Sequence, residues 1–251
     1  MTGPVAALPG GSEIVADADV LAQAAALRVV EALAARRIGP VGVALSGGTT
    51  PRRLYRLLAG PHRGEIDWAR VHWFWSDERL VPRTSDDSNS RMAMDAMLHD
   101  APAPHGNVHP VVTAGVRADD SARLYETELE TFYGDRRLDP ARPLFTIVLL
   151  GMGEDGHTAS LFPGKPAIEE TRRWAVGVPE AGQPPFVPRV TLTRAALASA
   201  GLTLFLVSGP GKHAALGRVA AGEPLPAARV AAESPNVAWL LDRAAATGEP
   251  A

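Results

Sequence analysis

Residues 145–163 read Phe145-Thr146-Ile147-Val148-Leu149-Leu150-Gly151-Met152-Gly153-Glu154-Asp155-Gly156-His157-Thr158-Ala159-Ser160-Leu161-Phe162-Pro163. The run ending at Leu150 is apolar apart from Thr146. Such a run, stopped by glycine, predicts a strand buried on both faces, as in a parallel sheet. The break at Gly151, Gly153 and Gly156 suits a tight turn and close approach of backbone to a ligand. Asp155 and His157 sit at that break. Ligands of open parallel sheets bind in the crevice beyond the carboxyl ends of the strands. One of only seven histidines therefore stands where a general base works at neutral pH.

The same pattern recurs outward from this stretch. Val41–Leu45 reads as a buried strand running into Ser46-Gly47-Gly48-Thr49-Thr50, with Pro51 in the first turn of a helix to about Leu58. Val71–Trp75 is a second strand, ending at Ser76-Asp77-Glu78-Arg79. Leu202–Val207 is another, followed by Ser208-Gly209-Pro210-Gly211-Lys212 and a helix from His213 to about Ala221. A helix is expected over Asp17–Arg37, burying Val20, Leu21, Ala24, Leu27, Val30 and Leu33-Ala34, with others over Arg91–Leu98 and Asp119–Tyr133. Val108–Val112 reads as a short strand, Trp174–Val178 and Arg189–Leu192 as a small β excursion, and Asn236–Leu241 as the last strand. The alternation predicts an α/β fold: a doubly wound, mostly parallel sheet with helices on both faces, in one domain over residues 1–251. Four polar or glycine-rich strand ends then meet at one sheet edge, as a single active site requires. Pro179–Pro188 reads as a surface loop in a position to act as a lid.

Composition narrows the function. With 25 basic and 28 acidic residues, the formal net charge is -3, which gives no support for nucleic acid or an anionic membrane as partner. The chain has no cysteine, so disulfides, thiolate nucleophiles and cysteine metal sites are excluded. No apolar run approaches the ~20 residues of a membrane span. Met1–Ser12 lacks the basic and apolar regions of a secretory signal, which makes cytoplasm the expected location. No HExxH or HxH spacing is present, so no metal is expected.

Each segment of the expected site has a functional and a bland reading. Ser46-Gly47-Gly48-Thr49 fits an anion cradle of backbone N–H groups at a helix start, or a plain turn with Ser46 as cap. It is neither a P-loop nor a GxGxxG fingerprint. In Asp77-Glu78-Arg79, the arginine suits bidentate phosphate binding and Asp77 the positioning of a sugar hydroxyl or of the arginine; an exposed salt-bridged corner is the alternative. Asp155-Gly156-His157 suits a base with an orienting carboxylate, against a satisfied structural histidine. Lys212 and Arg189 are further cations, each weak alone. His62, His72, His99, His105, His109 and His213 take the bland reading, and the five tryptophans read as core. Together the segments describe a phosphorylated small molecule and general-base chemistry.

In this order the segments resemble the 6-phosphogluconolactonase family of the pentose phosphate pathway, within the superfamily that also holds the glucosamine-6-phosphate deaminases. The resemblance rests on Ala44–Pro51, Trp75–Arg79 with Ser88-Asn89, Gly151–Pro163, Arg189–Thr193, and Ser208-Gly209 with Lys212; Asn89-Ser90-Arg91 is the looser match. Arg79 stands where deaminases tend to carry an aromatic, and Thr158–Pro163 differs from their segment ending in Asn-Glu-Pro, so the lactonases are the better fit. The resemblance implies hydrolysis of 6-phospho-D-glucono-1,5-lactone to 6-phosphogluconate, with no metal and no organic cofactor. It implies His157, Asp155 and Asp77 as the catalytic set, and Ser46, Gly47, Gly48, Thr49, Arg79, Asn89, Arg189 and Lys212 as substrate or phosphate contacts. The expected partner is a small sugar-phosphate lactone, and the expected state a monomer or weak dimer. A deaminase or isomerase on the same fold, and a sugar-phosphate-binding regulator without turnover, are the competing classes.

Overall fold

Every apolar run that ends in a glycine-rich or charged break becomes a strand of one parallel sheet. In a computed structural model describing residues 7–36 and 38–250, the strands are β1 (Ser12–Val15), β2 (Val41–Leu45), β3 (Val71–Trp75), β4 (Asp77–Arg79), β5 (Phe145–Leu150), β6 (Ala175–Val178), β7 (Arg189–Leu192), β8 (Ala200–Val207) and β9 (Val237–Asp242). The helices are α1 (Ala18–Ala35), α2 (Thr49–Ala59), α3 (Asn89–Ala93), α4 (Ala118–Tyr133), α5 (Arg194–Ala198), α6 (His213–Ala220), α7 (Pro226–Glu233) and α8 (Arg243–Thr247). Met1–Ala6, the start of the segment read for a signal, and Arg37, the expected end of the first helix, lie outside the described residues.

Six strands form a parallel sheet in the order β1-β9-β8-β5-β2-β3, and β4-β7-β6 form a small antiparallel sheet, the expected excursion enlarged by one strand. Alternate strand residues feed two cores. Val43, Leu45, Trp73, Trp75, Ile147, Leu149, Leu204 and Leu206 pack under α1 and α2. Ala44, Phe74, Phe145, Val148, Leu150, Phe205, Val207 and Trp239 pack on the opposite face, under α4 to α8. From β2 the chain steps to β3 on one side, then returns past β2 to β5 on the other. The direction of winding therefore reverses between β2 and β5, where doubly wound sheets open a ligand crevice.

Three local expectations are corrected. Helix α1 is where it was expected, but it buries Leu21, Ala22, Ala25, Ala26, Val29 and Leu33, while Val20 and Leu27 are exposed. Alanines on the inner stripe let the helix lie close to the sheet, and this turns the larger residues outward. Val108–Val112 makes only an isolated bridge between Val108 and Trp73, because Pro110 has no N–H to extend a ladder. The helix expected over Arg91–Leu98 begins earlier, at Asn89, and its second half, Met94–Leu98, widens into a π turn.

Two tyrosine hydroxyls hold the strand ends that lead to the site. Tyr55 Oη on α2 accepts the Ser46 N–H at 2.9 Å and donates to the Ser46 carbonyl at 2.8 Å. Tyr125 Oη on α4 does the same for Trp75, at 2.7 and 2.8 Å. Both tyrosines are buried. Tyr125→Phe would leave a buried N–H and a buried C=O without their partner, a cost of about 1–3 kcal/mol. Urea unfolding should report a loss of that size with an unchanged slope.

Candidate active site

The β2 and β5 ends part at the switch point, and the chain segments after β2, β3 and β5 converge there. The Gly151–His157 loop carries the acid–base pair. Asp155 Oδ1 lies 2.6 Å from His157 Nδ1 and also accepts the His157 backbone N–H at 3.0 Å. An ionised carboxylate only accepts, so Nδ1 is the donor to Asp155, and in the neutral tautomer this selects it is Nε2 that carries the lone pair. Burial works against ionisation of Asp155, but the backbone N–H, charge and side chain of His157, with Gln183, outweigh it and hold the carboxyl below its usual value. The sign follows: this link is intact above the ordinary value of 3.8 and is lost only as pH falls through the lower folded value. Gly153 is required here, because a Cβ would collide with both His157 Nδ1 and Asp155 Oδ1.

A second cluster joins the remaining strand ends. Asp77 is 6% exposed and accepts the Ser160 hydroxyl at 2.6 Å. Asn89 Nδ2 donates to the Asp77 carbonyl at 2.9 Å and to Oδ1 at 3.3 Å. The Asn89 side chain also lies against Gly47, where any Cβ would overlap it, which ties the loop after β2 to β4. Arg189 is 2% exposed; its guanidinium donates to the carbonyls of Gln183 at 2.9 Å and Pro185 at 3.0 Å, and lies 3.5 Å from Ser160 Oγ. Burial pushes the Arg189 guanidinium down, Asp77 opposes this, and neighbouring Arg79 adds to it. Two guanidiniums and a carboxylate thus share one buried corner. The Nε atoms of Arg79 and Arg189 are both buried and have no hydrogen-bond partner among the described residues. His157 and Arg189 pack on the same ring, Phe162, at 4.8 Å between ring centroids and 5.3 Å from guanidinium carbon to centroid.

Two parts of the bland readings are corrected. Asp77-Glu78-Arg79 is no exposed corner but strand β4, paired antiparallel to β7 with Arg79 opposite Arg189. Glu78 is fully buried, and its carboxylate takes the N–H groups of Arg79, Asn89 and Ser90 at 2.8, 2.8 and 2.6 Å. Burial pushes this carboxyl up against the pull of those donors. Ser46 does not cap α2; Gly48 occupies that place and offers no side chain, so α2 begins at Thr49 with no side-chain cap on its first N–H groups. Arg79 Nη1 donates to the Asp87 carbonyl at 2.7 Å.

Lys212 stands apart from this hydrogen-bonded set. It ends the turn after Gly209 and makes no ion pair among the described residues. Its loop meets the His157 loop where Glu154 packs against Gly211. Asp242, at the end of β9, fixes that loop by accepting Ser208 Oγ at 2.5 Å and the Gly209 N–H at 3.0 Å. Sequence reasoning assigned no role to Ser160, Gln183, Glu78 or Asp242. Ser160 lies inside the decisive stretch, but it reaches Asp77 only because Ala159 is left-handed, with φ +48°. Nothing in an alanine announces that turn. Of the bland histidines, His72 and His109 form a packed pair 2.9 Å apart, and His213 lies 3.3 Å from the Ala245 carbonyl. All five tryptophans are buried. Among the described residues no three histidine or carboxylate groups are arranged to hold a metal ion.

Comparison with known proteins agrees with this fold. Residues 16–239 match the family model described as glucosamine-6-phosphate isomerases/6-phosphogluconolactonase. The chain is 40% identical over 222 residues to a 6-phosphogluconolactonase of Synechocystis, covering 87% of this chain and 88% of that one. It is 38% identical over 247 residues to a 6-phosphogluconolactonase of Mycobacterium tuberculosis, with 95% and 98% covered. The solved structure of a 6-phosphogluconolactonase from Trypanosoma cruzi superposes with a TM-score of 0.83 at 31% identity, covering 98% of this chain and 96% of that one.

Proposed function

The chain belongs to the family of glucosamine-6-phosphate isomerases and 6-phosphogluconolactonases, and we propose that within it this protein hydrolyses 6-phospho-D-glucono-1,5-lactone to 6-phosphogluconate in the pentose phosphate pathway. The observation that carries the mechanism is the Asp155–His157 pair, which leaves Nε2 of the imidazole basic at the switch point of the sheet. His157 Nε2 takes a proton from water as its oxygen attacks C1 of the lactone. The tetrahedral oxyanion is met by backbone N–H groups or a nearby cation. Its collapse breaks the bond to the ring oxygen, which receives the proton back from His157. Asp155 holds the imidazole in its tautomer, and Asp77 fixes Ser160 and Asn89 beside Arg189. The phosphate is held by the loop of Ser46, Gly47, Gly48 and Thr49 with Arg79, Arg189 and Lys212, and Asn89 completes the contacts. No metal or organic cofactor takes part. The enzyme acts as a single domain, a monomer or weak dimer, in the cytoplasm; among the described residues no helix is long and apolar enough to cross a membrane.

A coupled assay tests the reading. The lactone is generated in place by glucose-6-phosphate dehydrogenase, and 6-phosphogluconate is followed through its own dehydrogenase. Acceleration above spontaneous hydrolysis is expected. Well-folded protein that gives none rejects the lactonase reading, and release of ammonia from glucosamine 6-phosphate would then assign the deaminase. In the same assay Lys212→Ala is expected to raise KM about tenfold with kcat little changed, since a point charge on the unreacting end contributes to binding alone. A fall in kcat at constant KM would remove Lys212 from the phosphate.

A further inference from the structure

The loop between β6 and β7 lies beside the acid–base pair and is fastened along its length. Ala181 is buried with Val178 against Phe162, and Gly182 lies so close to that ring that a Cβ would crowd it. The carbonyls of Gln183 and Pro185 both accept from the buried Arg189 guanidinium, at 2.9 and 3.0 Å. The Pro188 carbonyl accepts the Leu80 N–H at 2.8 Å. Between these ties Gln183, Pro184 and Phe186 face outward, and Phe186 is the large apolar side chain left in the open, 74% exposed. A loop bound at both ends and in its middle to buried groups does not have the few local contacts of a moving lid.

The Gln183 amide is placed by those ties, and Nε2 donates to Asp155 Oδ2 at 3.1 Å. With Oδ1 occupied by the two nitrogens of His157, both oxygens of the carboxylate are then held. We infer that the 179–188 loop is a fixed strap across the site and that Gln183 is a positioning residue, which locks Asp155 and through it the imidazole of His157. The inference rests on the lactonase reading for its kinetic test, though not for its geometry. Without Gln183, Oδ2 exchanges its partner for water and the carboxylate is free to rotate about its Cβ–Cγ bond. The pair then spends less time with Nε2 aimed at the water it activates. The charged groups with a bearing on Asp155 are His157 in its own loop and Arg218 on α6. Gln183 adds a donor to this set without adding charge.

Gln183→Ala is expected to lower kcat about 3- to 10-fold with KM unchanged, the worth of one hydrogen bond made to an exposed side chain. Gln183→Glu sets a second carboxylate against Asp155 and is expected to move the acid-side loss of kcat/KM to higher pH. Phe186→Ala, in the same loop but free of these ties, should leave both parameters as they are. An unchanged kcat in Gln183→Ala, an unmoved pH profile in Gln183→Glu, or an equal loss in Phe186→Ala would each overturn the inference. Wild-type protein inert toward the lactone would reject the function instead. The strap is then read by proton NMR of the His157 Nδ1–H. Faster exchange with water in Gln183→Ala than in wild type supports the positioning role, and equal exchange rejects it.

Discussion

His157→Ala is expected to lower kcat about 10²–10⁴-fold while KM stays within about twofold of the parent value, the usual worth of a general base that does not bind the substrate's charged end. The side chain is part-exposed, its one polar contact among the described residues is with Asp155 and its packing is on the face of Phe162, so the fold should survive its removal. Thermal unfolding of the variant serves as the control. The loss falls within this range because the lactone already reacts with water, and proton transfer is the main contribution asked of the protein. A variant that keeps full activity would transfer the base to another residue and leave the Asp155–His157 pair as a loop brace. Because Asp155 stays ionised below its ordinary value, a wild-type acid limb lying above pH 4 would not report the titration of Asp155.

Much of this site was legible in the sequence because its chemistry sits on contiguous segments at strand ends. The run from Phe145 to Leu150 and the break after it define β5 and place Asp155 and His157 together, two residues apart. What was not legible depends on register between distant segments. Arg189 read as a further cationic contact, weak on its own, and it is buried because β7 pairs with β4, a strand of three charged residues that no apolar pattern marks. Glu78 makes that pairing tolerable by collecting N–H groups from the start of α3, a partnership across the ten residues between Glu78 and Asn89. Strand β1 escaped notice because it is exposed and short, and α5, α7 and α8 because alanine-rich segments of five to eight residues carry little periodicity. The same alanine bias misdirected the buried face of α1, since a stripe chosen by side-chain size overlooks the alanines that actually touch the sheet.

Arg189→Ala should produce the other large effect, and of a different kind. The guanidinium carries a charge expected to bind phosphate, and it also donates to two carbonyls of the strap. Losing a charged hydrogen-bonding group costs about 1.5–3 kcal/mol, so kcat/KM for the phosphorylated lactone is expected to fall roughly 10- to 150-fold, chiefly through KM. A smaller fall in kcat, matching that of Gln183→Ala, should accompany it because the strap is released. Arg189→Lys restores the charge but not the fork that reaches both carbonyls, so it should recover part of KM and little of kcat. Unphosphorylated gluconolactone separates the two roles. Toward it, Arg189→Ala should lose only the kcat component, since there is no phosphate to hold. An equal loss toward both lactones would mean that Arg189 serves the strap alone, and the phosphate would then fall to Arg79, Lys212 and the loop that opens α2.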